Sequence, residues 1–216
     1  MGKKSEKKNS RENSLTIQKK QILIVDDHPL YRKGLTEYIN EEHDFNVCGE
    51  ASDSTEAMEA IKNLKPDAVT LDISLQGPNG VDVVKSIKAR YGELPVLIVS
   101  MHDESLYAER VLRAGAKGYV MKSEAADKIL TALRRILKGQ IYLSESMTDK
   151  MLEKQVRGIP KDVSSVESLS DRELEVFQLI GQGETTNNIA KKLHLSVKTV
   201  ETYRANIKNK LNLSNS

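Results

Sequence analysis

The stretch that decides the fold is "ILIVDDHPL", Ile22–Leu30. A short apolar run, rich in β-branched residues, leads straight into two adjacent aspartates. Such a run suits a buried parallel strand. The two carboxylates at its end repel each other and resist burial. Whatever offsets them has to come from elsewhere in the chain.

Four further runs have the same character: Val47–Glu50, Ala68–Asp72, Val96–Ser100 and Gly118–Met121. Between them, apolar residues recur at helical spacing. Leu30, Leu35, Tyr38 and Ile39 form one stripe, Val81, Val84, Ile87 and Lys88 the edge of a second, and Ile129, Leu133, Ile136 and Leu137 a third. Ser52 or Asp53 stands as a cap before "STEAMEAIKNL", and Ser123 before "EAADKILTALRRIL". Five strand–helix units in series predict an α/β domain over residues 21–140, with a five-stranded, parallel, doubly wound sheet. Ligands of such sheets sit at the carboxyl ends of the strands, near the switch in strand order.

Composition limits the partners. The 216 residues include no Trp and one cysteine, Cys48, so neither an internal disulfide nor a cysteine metal cluster can form. No apolar run approaches a membrane span, and the start of the chain lacks a signal peptide's apolar core, which makes the cytoplasm the expected location. Net charge is +2, but residues 21–140 carry −4 while 191–210 alone carry +5. An acidic body and a basic C-terminal stretch point to two parts with different partners. Residues 1–20 read as a disordered basic tail. Residues 141–165 read as a linker with one helix near Met147–Gln155. Residues 166–216 read as a small all-α domain of three helices.

On this reading Asp26 and Asp27 end the first strand, Asp72 the third, Ser100 the fourth and Lys122 the fifth, all at one sheet edge. Three carboxylates and one ammonium leave two negative charges, which one divalent, oxygen-loving cation such as Mg²⁺ balances. An Asp beside Mg²⁺, a Lys and a hydroxyl can act as nucleophile toward a phosphoryl group.

The segments "ILIVDDHPLYRKGL", "PDAVTLDISL", "PVLIVSMHD" and "RAGAKGYVMKS" resemble the receiver domain of two-component response regulators. The resemblance implies that Asp72 accepts a phosphoryl group from a histidine kinase. It implies direct Mg²⁺ ligation by Asp27, ligation mainly through water by Asp26, and a further ligand in the backbone carbonyl of Ser74. Ser100 and Tyr119 match the family's switch pair, and Lys122 its phosphate-contacting lysine. Phosphorylation is expected to draw Ser100 toward the phosphate and turn Tyr119 inward. Two positions depart from the pattern: Gln76 stands where relatives carry Pro, so Pro78 comes late, and Ser123 stands where many have Pro. The family geometry implies a cis Lys122–Ser123 bond.

The segment "LSDRELEVFQLIGQGETTNNIAKKLHLSVKTVETYRANIKNKLNL" resembles the LuxR-type helix-turn-helix domain of the NarL/FixJ group. In its last helix Val200, Tyr203 or Ile207, and Leu211 form a packing stripe. Lys198, Thr199, Glu201, Thr202 and Ala205 lie near the half that a recognition helix presents to the major groove. Lys198, Thr199, Lys208 and Lys210 suit phosphate contacts, and Glu201 suits a cytosine amino group. Relatives continue with a further helix that forms the DNA-bound dimer interface. Homodimerisation on phosphorylation is therefore expected to be weakened in this chain, together with its grip on a double-stranded operator.

Three other readings compete. Haloacid-dehalogenase-like phosphatases also use an Asp nucleophile with Mg²⁺, but need a second acid where Ser74 stands. A flavodoxin-like cofactor site would need a phosphate-cradling loop where "VDDHPL" repels phosphate. A phosphorylation-independent receiver signalling by protein contact is compatible with the fold, though the full pocket is present. The leading reading is a transcription regulator that is no enzyme beyond self-phosphoryl transfer and autodephosphorylation at Asp72.

Overall fold

The computed structural model describes residues 18–75, 79–157 and 165–213. Most of the N-terminal tail and the departures at Gln76 and Pro78 lie outside the described residues. Five strands form one parallel sheet: β1 (Lys20–Val25), β2 (Phe45–Ala51), β3 (Ala68–Leu71), β4 (Val96–Ser100) and β5 (Gly118–Met121), in the order β2-β1-β3-β4-β5. Strand β1 opens at Lys20, one residue inside the stretch read as tail. Strand β2 extends past the expected run at both ends, and Cys48 is an extra residue between the pairs Ile22–Val47 and Leu23–Gly49.

Successive residues of β1 point to opposite faces, and the core divides accordingly. Ile22 and Ile24 pack with Leu35 and Ile39 of α1 (Pro29–Asn40) and with Ile129, Leu133 and Ile136 of α5 (Asp127–Ile136). Leu23 and Val25 pack with α2 (Ser54–Leu64), α3 (Gly80–Tyr91) and α4 (Glu104–Ala114) on the other face. The order places the switch between β1 and β3, beside Asp26 and Asp72.

Three local expectations need correction. Leu30 is 88% exposed rather than part of the buried stripe of α1, because it falls in the first turn above the sheet edge. Lys88 is exposed, and Val83 is buried in α3 instead. Ser123 does not cap α5: the helix starts four residues later, after Ala126, because Glu124 turns back to accept from the Met121 amide at 3.1 Å. Asp53 does cap α2, accepting from the amides of Thr55 and Glu56.

The linker holds α6 (Glu145–Arg157), longer at both ends than expected. After a 3₁₀ turn at Ser165–Ser168 come α7 (Asp171–Gly181), α8 (Thr186–Lys192) and α9 (Val197–Lys210). Each starts at a hydroxyl cap, Ser170, Thr185 and Ser196, and Ser170 with Glu173 completes a capping box. Leu174, Val176, Ile189, Val200 and Ile207 fill this domain's core, which is continuous with the α2–α4 side of the sheet.

Gly80 begins α3 where the chain leaves the edge loop. A Cβ there would lie 2.5 Å from the Ile73 Cα and 2.9 Å from the Asp72 carbonyl oxygen, both backbone atoms. Gly80→Ala should therefore destabilise by about 1–3 kcal/mol through overpacking. Gly34, inside α1 with nothing within 4 Å, is the control. Gly34→Ala should stabilise by about 0.5–1 kcal/mol. Urea midpoints of the two variants, moving in opposite directions from the parent, are the check.

Candidate functional site

The carboxyl edge of the sheet gathers the expected residues. Asp26 and Asp72 are buried, and Asp27 is partly so. Lys122 reaches them from the end of β5 with a side chain only 4% exposed. Its ammonium lies 2.6 Å from Asp26 Oδ2 and 2.6 Å from Asp72 Oδ2. The same nitrogen sits 4.4 Å from the centre of the Tyr31 ring, a cation–π contact that the sequence reading missed. Burial works against the charge on Lys122, but the Asp72 and Asp26 carboxylates outweigh it and raise its pKa. Burial pushes the Asp27 carboxyl up; Asp72 and Asp26 add to the rise, while His28 and Lys122 oppose it.

Asp27 Oδ1 is buried and has no hydrogen-bond donor. An orphaned carboxylate oxygen is costly. It belongs to a set of ligand atoms from Asp26, Asp27, His28 and Asp72 that all lie within 4.8 Å of one another. Oxygen donors so arranged fit a hard divalent cation. A second acidic cluster, Glu42 and Asp44, is already occupied by the guanidinium of Arg134.

Ser100 is fully buried at the end of β4. Its hydroxyl accepts from the His102 amide at 3.3 Å. Tyr119 is also buried, and its hydroxyl donates to the His102 carbonyl at 2.8 Å. The Tyr119 ring lies inside in this structure, packed in the core beneath α4. The Lys122–Ser123 bond is trans, as are all peptide bonds among the described residues. Ser123 follows Lys122 in an ordinary turn.

His102, passed over in the sequence, is a node. Its Nε2 lies 2.9 Å from Ser74 Oγ in the loop after Asp72. Its ring stacks obliquely on Tyr107 of α4, whose hydroxyl donates to Gln178 of α7. Burial holds the imidazole below its ordinary pKa, although Asp72 and Glu175 pull the other way. Only its place two residues beyond the Ser100 strand end could have flagged it.

Helix α7 spans the loops around this edge. Glu175 accepts from buried Asn79 at 3.2 Å, and Gln178 accepts from the Tyr107 hydroxyl at 3.1 Å. Arg110 of α4 donates to the Leu169 carbonyl at 2.7 Å and to Asp171 Oδ1 at 3.0 Å. These contacts join the helical domain to α3 and α4 and to both loops beside Asp72.

On α9, Lys198, Glu201, Thr202 and Ala205 are exposed on the side away from that contact's core. Thr199 is part of the helix start: its amide donates to Ser196 Oγ at 3.0 Å. Lys208 is half-buried. Lys210 holds buried Glu173 at 2.6 Å, which ties α9 to α7. The packing stripe is present, with Val200 and Ile207 buried and Tyr203 and Leu211 half-buried.

A parallel α/β domain with an acid-and-lysine edge, followed by a capped three-helix unit, defines a response regulator. Residues 22–134 match the response regulator receiver domain, and residues 167–216 match the luxR family of bacterial regulatory proteins. The chain belongs to this family and is a DNA-binding response regulator of a two-component system. It is 35% identical over 197 residues to the oxygen regulatory protein NreC of Staphylococcus aureus (strain bovine RF122 / ET3-1), covering 89% of this chain and 91% of the relative. RcsB of Salmonella enterica serovar Typhimurium, solved bound to promoter rprA with the phosphomimetic BeF3-, is 26% identical over 92% of this chain and 95% of that one, with a TM-score of 0.63. A LuxR-family two-component response regulator from Aurantimonas sp. SI85-9A1 is 33% identical over 64% of this chain and 99% of that one, with a TM-score of 0.60.

Lys122 is the buried countercharge, so its removal has a clear electrostatic outcome. Lys122→Met leaves Asp26 and Asp72 facing each other unneutralised and should cost about 3–5 kcal/mol at pH 7. Urea unfolding of both proteins at pH 7 measures this; equal stabilities would contradict it.

Proposed function

We propose that Asp72 is the phosphoacceptor of this regulator and that a histidine kinase is its donor. The convergence of Asp26, Asp27, Asp72, Ser100 and Lys122 from four strand ends carries this reading. The Asp72 carboxylate attacks phosphorus. The bond from phosphorus to the donor's imidazole nitrogen breaks, and its electron pair leaves with that nitrogen. The product is an aspartyl phosphate, later hydrolysed in place; no separate substrate is turned over. The carboxylates of Asp26, Asp27 and Asp72, with the Ser74 backbone carbonyl, would hold Mg²⁺, which supplies positive charge to the phosphoryl oxygens.

The chain's own groups do the rest. Lys122 can move one of its bonds from Asp72 to a phosphoryl oxygen. Ser100 can donate to another, but its hydroxyl now serves the His102 amide. Recruiting Ser100 therefore releases a hold on His102, which touches the Ser74 loop and stacks on Tyr107, the partner of Gln178 of α7. The switch works through Ser100 and Tyr119, whose hydroxyls both meet the His102 backbone. A ligand shifts two states only by its differential affinity for them, and this exchange of bonds supplies the difference.

The domains are a receiver over 21–140, a linker over 141–165 and a DNA-binding domain over 166–216, acting in the cytoplasm. The target is a double-stranded operator, bound as a homodimer after phosphorylation. Lys198, with Thr199 and Lys208, meets phosphates, Lys210 being engaged with Glu173, and Glu201, Thr202 and Ala205 face base edges. No helix among the described residues is long and apolar enough to cross a membrane.

The deciding experiment is incubation with acetyl phosphate and Mg²⁺, followed by intact mass. The parent should gain one phosphoryl group, and Asp72→Asn none. A variant that still gains one would remove Asp72 from the role, and a parent that gains none would favour signalling by protein contact alone.

On DNA, Lys198→Ala should weaken binding to all sequences and lower the salt slope by about 1, through one fewer released counterion. Thr202→Ala should instead change the preferred sequence. Titrations at several salt concentrations on operator and unrelated DNA separate the two. Equal salt slopes for parent and Lys198→Ala would remove this phosphate contact.

A further inference from the structure

Tyr31 stands in the first turn of α1. Leu30 beside it projects into solvent, but Tyr31 is half-buried and packs on the core that α1 shares with α5. Its ring face meets the Lys122 ammonium at the end of β5. That ammonium carries three N–H groups. Asp26 Oδ2 and Asp72 Oδ2, each 2.6 Å away, take two of them. Among the described residues no further oxygen lies within hydrogen-bonding reach of the nitrogen, and its side chain is only 4% exposed. The third group is left to the ring, whose centre is 4.4 Å away. A donor unmet in so enclosed a place is costly.

A ring face attracts a cation differently from an oxygen. Its pull comes from the quadrupole and is spread over the whole face. An oxygen pulls along a hydrogen bond, which weakens steeply as the donor turns away. Lys122 has to turn, since meeting the phosphoryl group means moving one bond from Asp72 to a phosphoryl oxygen. The ring permits that turn while keeping the ammonium at the pocket. A third oxygen in its place would hold the ammonium back, and an aliphatic side chain would leave one N–H unmet. Charge held ready in this way spares reorganisation during the transfer.

We infer that Tyr31 is a positioning residue for phosphoryl transfer: its ring face holds the Lys122 ammonium where that ammonium can reach the phosphoryl group. The inference rests on the phosphoacceptor role proposed for Asp72. It concerns the ring and not the hydroxyl, and it adds nothing to the ligands of the cation.

The test is the initial rate of phosphoryl gain from acetyl phosphate at saturating Mg²⁺, read by intact mass on the full chain. Tyr31→Phe keeps the ring and should stay within about twofold of the parent, whereas Tyr31→Leu should be slower by about tenfold. Because Tyr31→Leu also alters packing, ring-fluorinated phenylalanines at the same position supply a second arm. Each added fluorine weakens the negative ring face with little change in volume, so the rate should fall stepwise as fluorines are added. Packing alone would not follow the fluorine count. A flat rate across the series, or Tyr31→Leu as fast as Tyr31→Phe, overturns the inference and leaves the role of Asp72 standing. Tyr31→Phe as slow as Tyr31→Leu assigns the effect to the hydroxyl and overturns it too. A parent that gains no phosphoryl group removes the reading of Asp72, and this inference with it.

Discussion

The carboxyl edge of the sheet depends on one ammonium group. Asp26 and Asp72 are brought together by adjacent strands, and each would be costly to bury as a lone anion. Lys122 lies 2.6 Å from both and lets them coexist. Its own position is fixed by β5, whose pairing with β4 also sets Ser100 opposite Met121. Charge neutralisation, strand register and placement of the Ser100 hydroxyl are therefore one constraint. A shift of β5 by one residue would turn the lysine to the other face and leave the acids unpaired.

The same edge carries the contact between the two domains. Helix α7 touches Asn79 from the loop after β3 and, through Gln178, Tyr107 of α4, whose ring packs on His102 of the loop after β4. Both loops flank Asp72. Arg110 anchors the start of the helical domain by its carbonyls as well as by Asp171. Meanwhile the exposed residues of α9 are left free of this contact. The domain contact therefore bears on the loops beside Asp72 rather than covering the exposed side of α9. Coupling of this kind is reciprocal: whatever α7 gains by docking, the loops must lose when they rearrange.

Much of this was legible in the sequence, and the reasons differ by element. The strands were visible because both faces of a parallel sheet are buried, which leaves unbroken apolar runs such as Ile22–Val25. The pocket was visible because its acids, hydroxyl and lysine all fall at strand ends. Leu30 misled because helical spacing does not reveal that a first turn projects past the sheet. Ser123 misled because a cap residue is equally at home in a turn. Asn79 and Arg110 were out of reach, because their partners are in another domain: Asn79 meets Glu175, 96 positions along the chain. Lys210 looked like a phosphate contact on charge alone, and only the fold brings it to buried Glu173.

The central claim is that events at Asp72 reach the DNA-binding domain through the His102 loop and α7. Hydrogen–deuterium exchange along residues 171–181, with and without beryllofluoride and Mg²⁺, addresses it directly. The account expects faster exchange in α7 and in residues 101–103 when the phosphomimetic binds, because Ser100 leaves the His102 amide, and no change in Asp72→Asn. Exchange that slows in the pocket loops while α7 keeps its rate would contradict it, and the two domains would then be joined without being coupled.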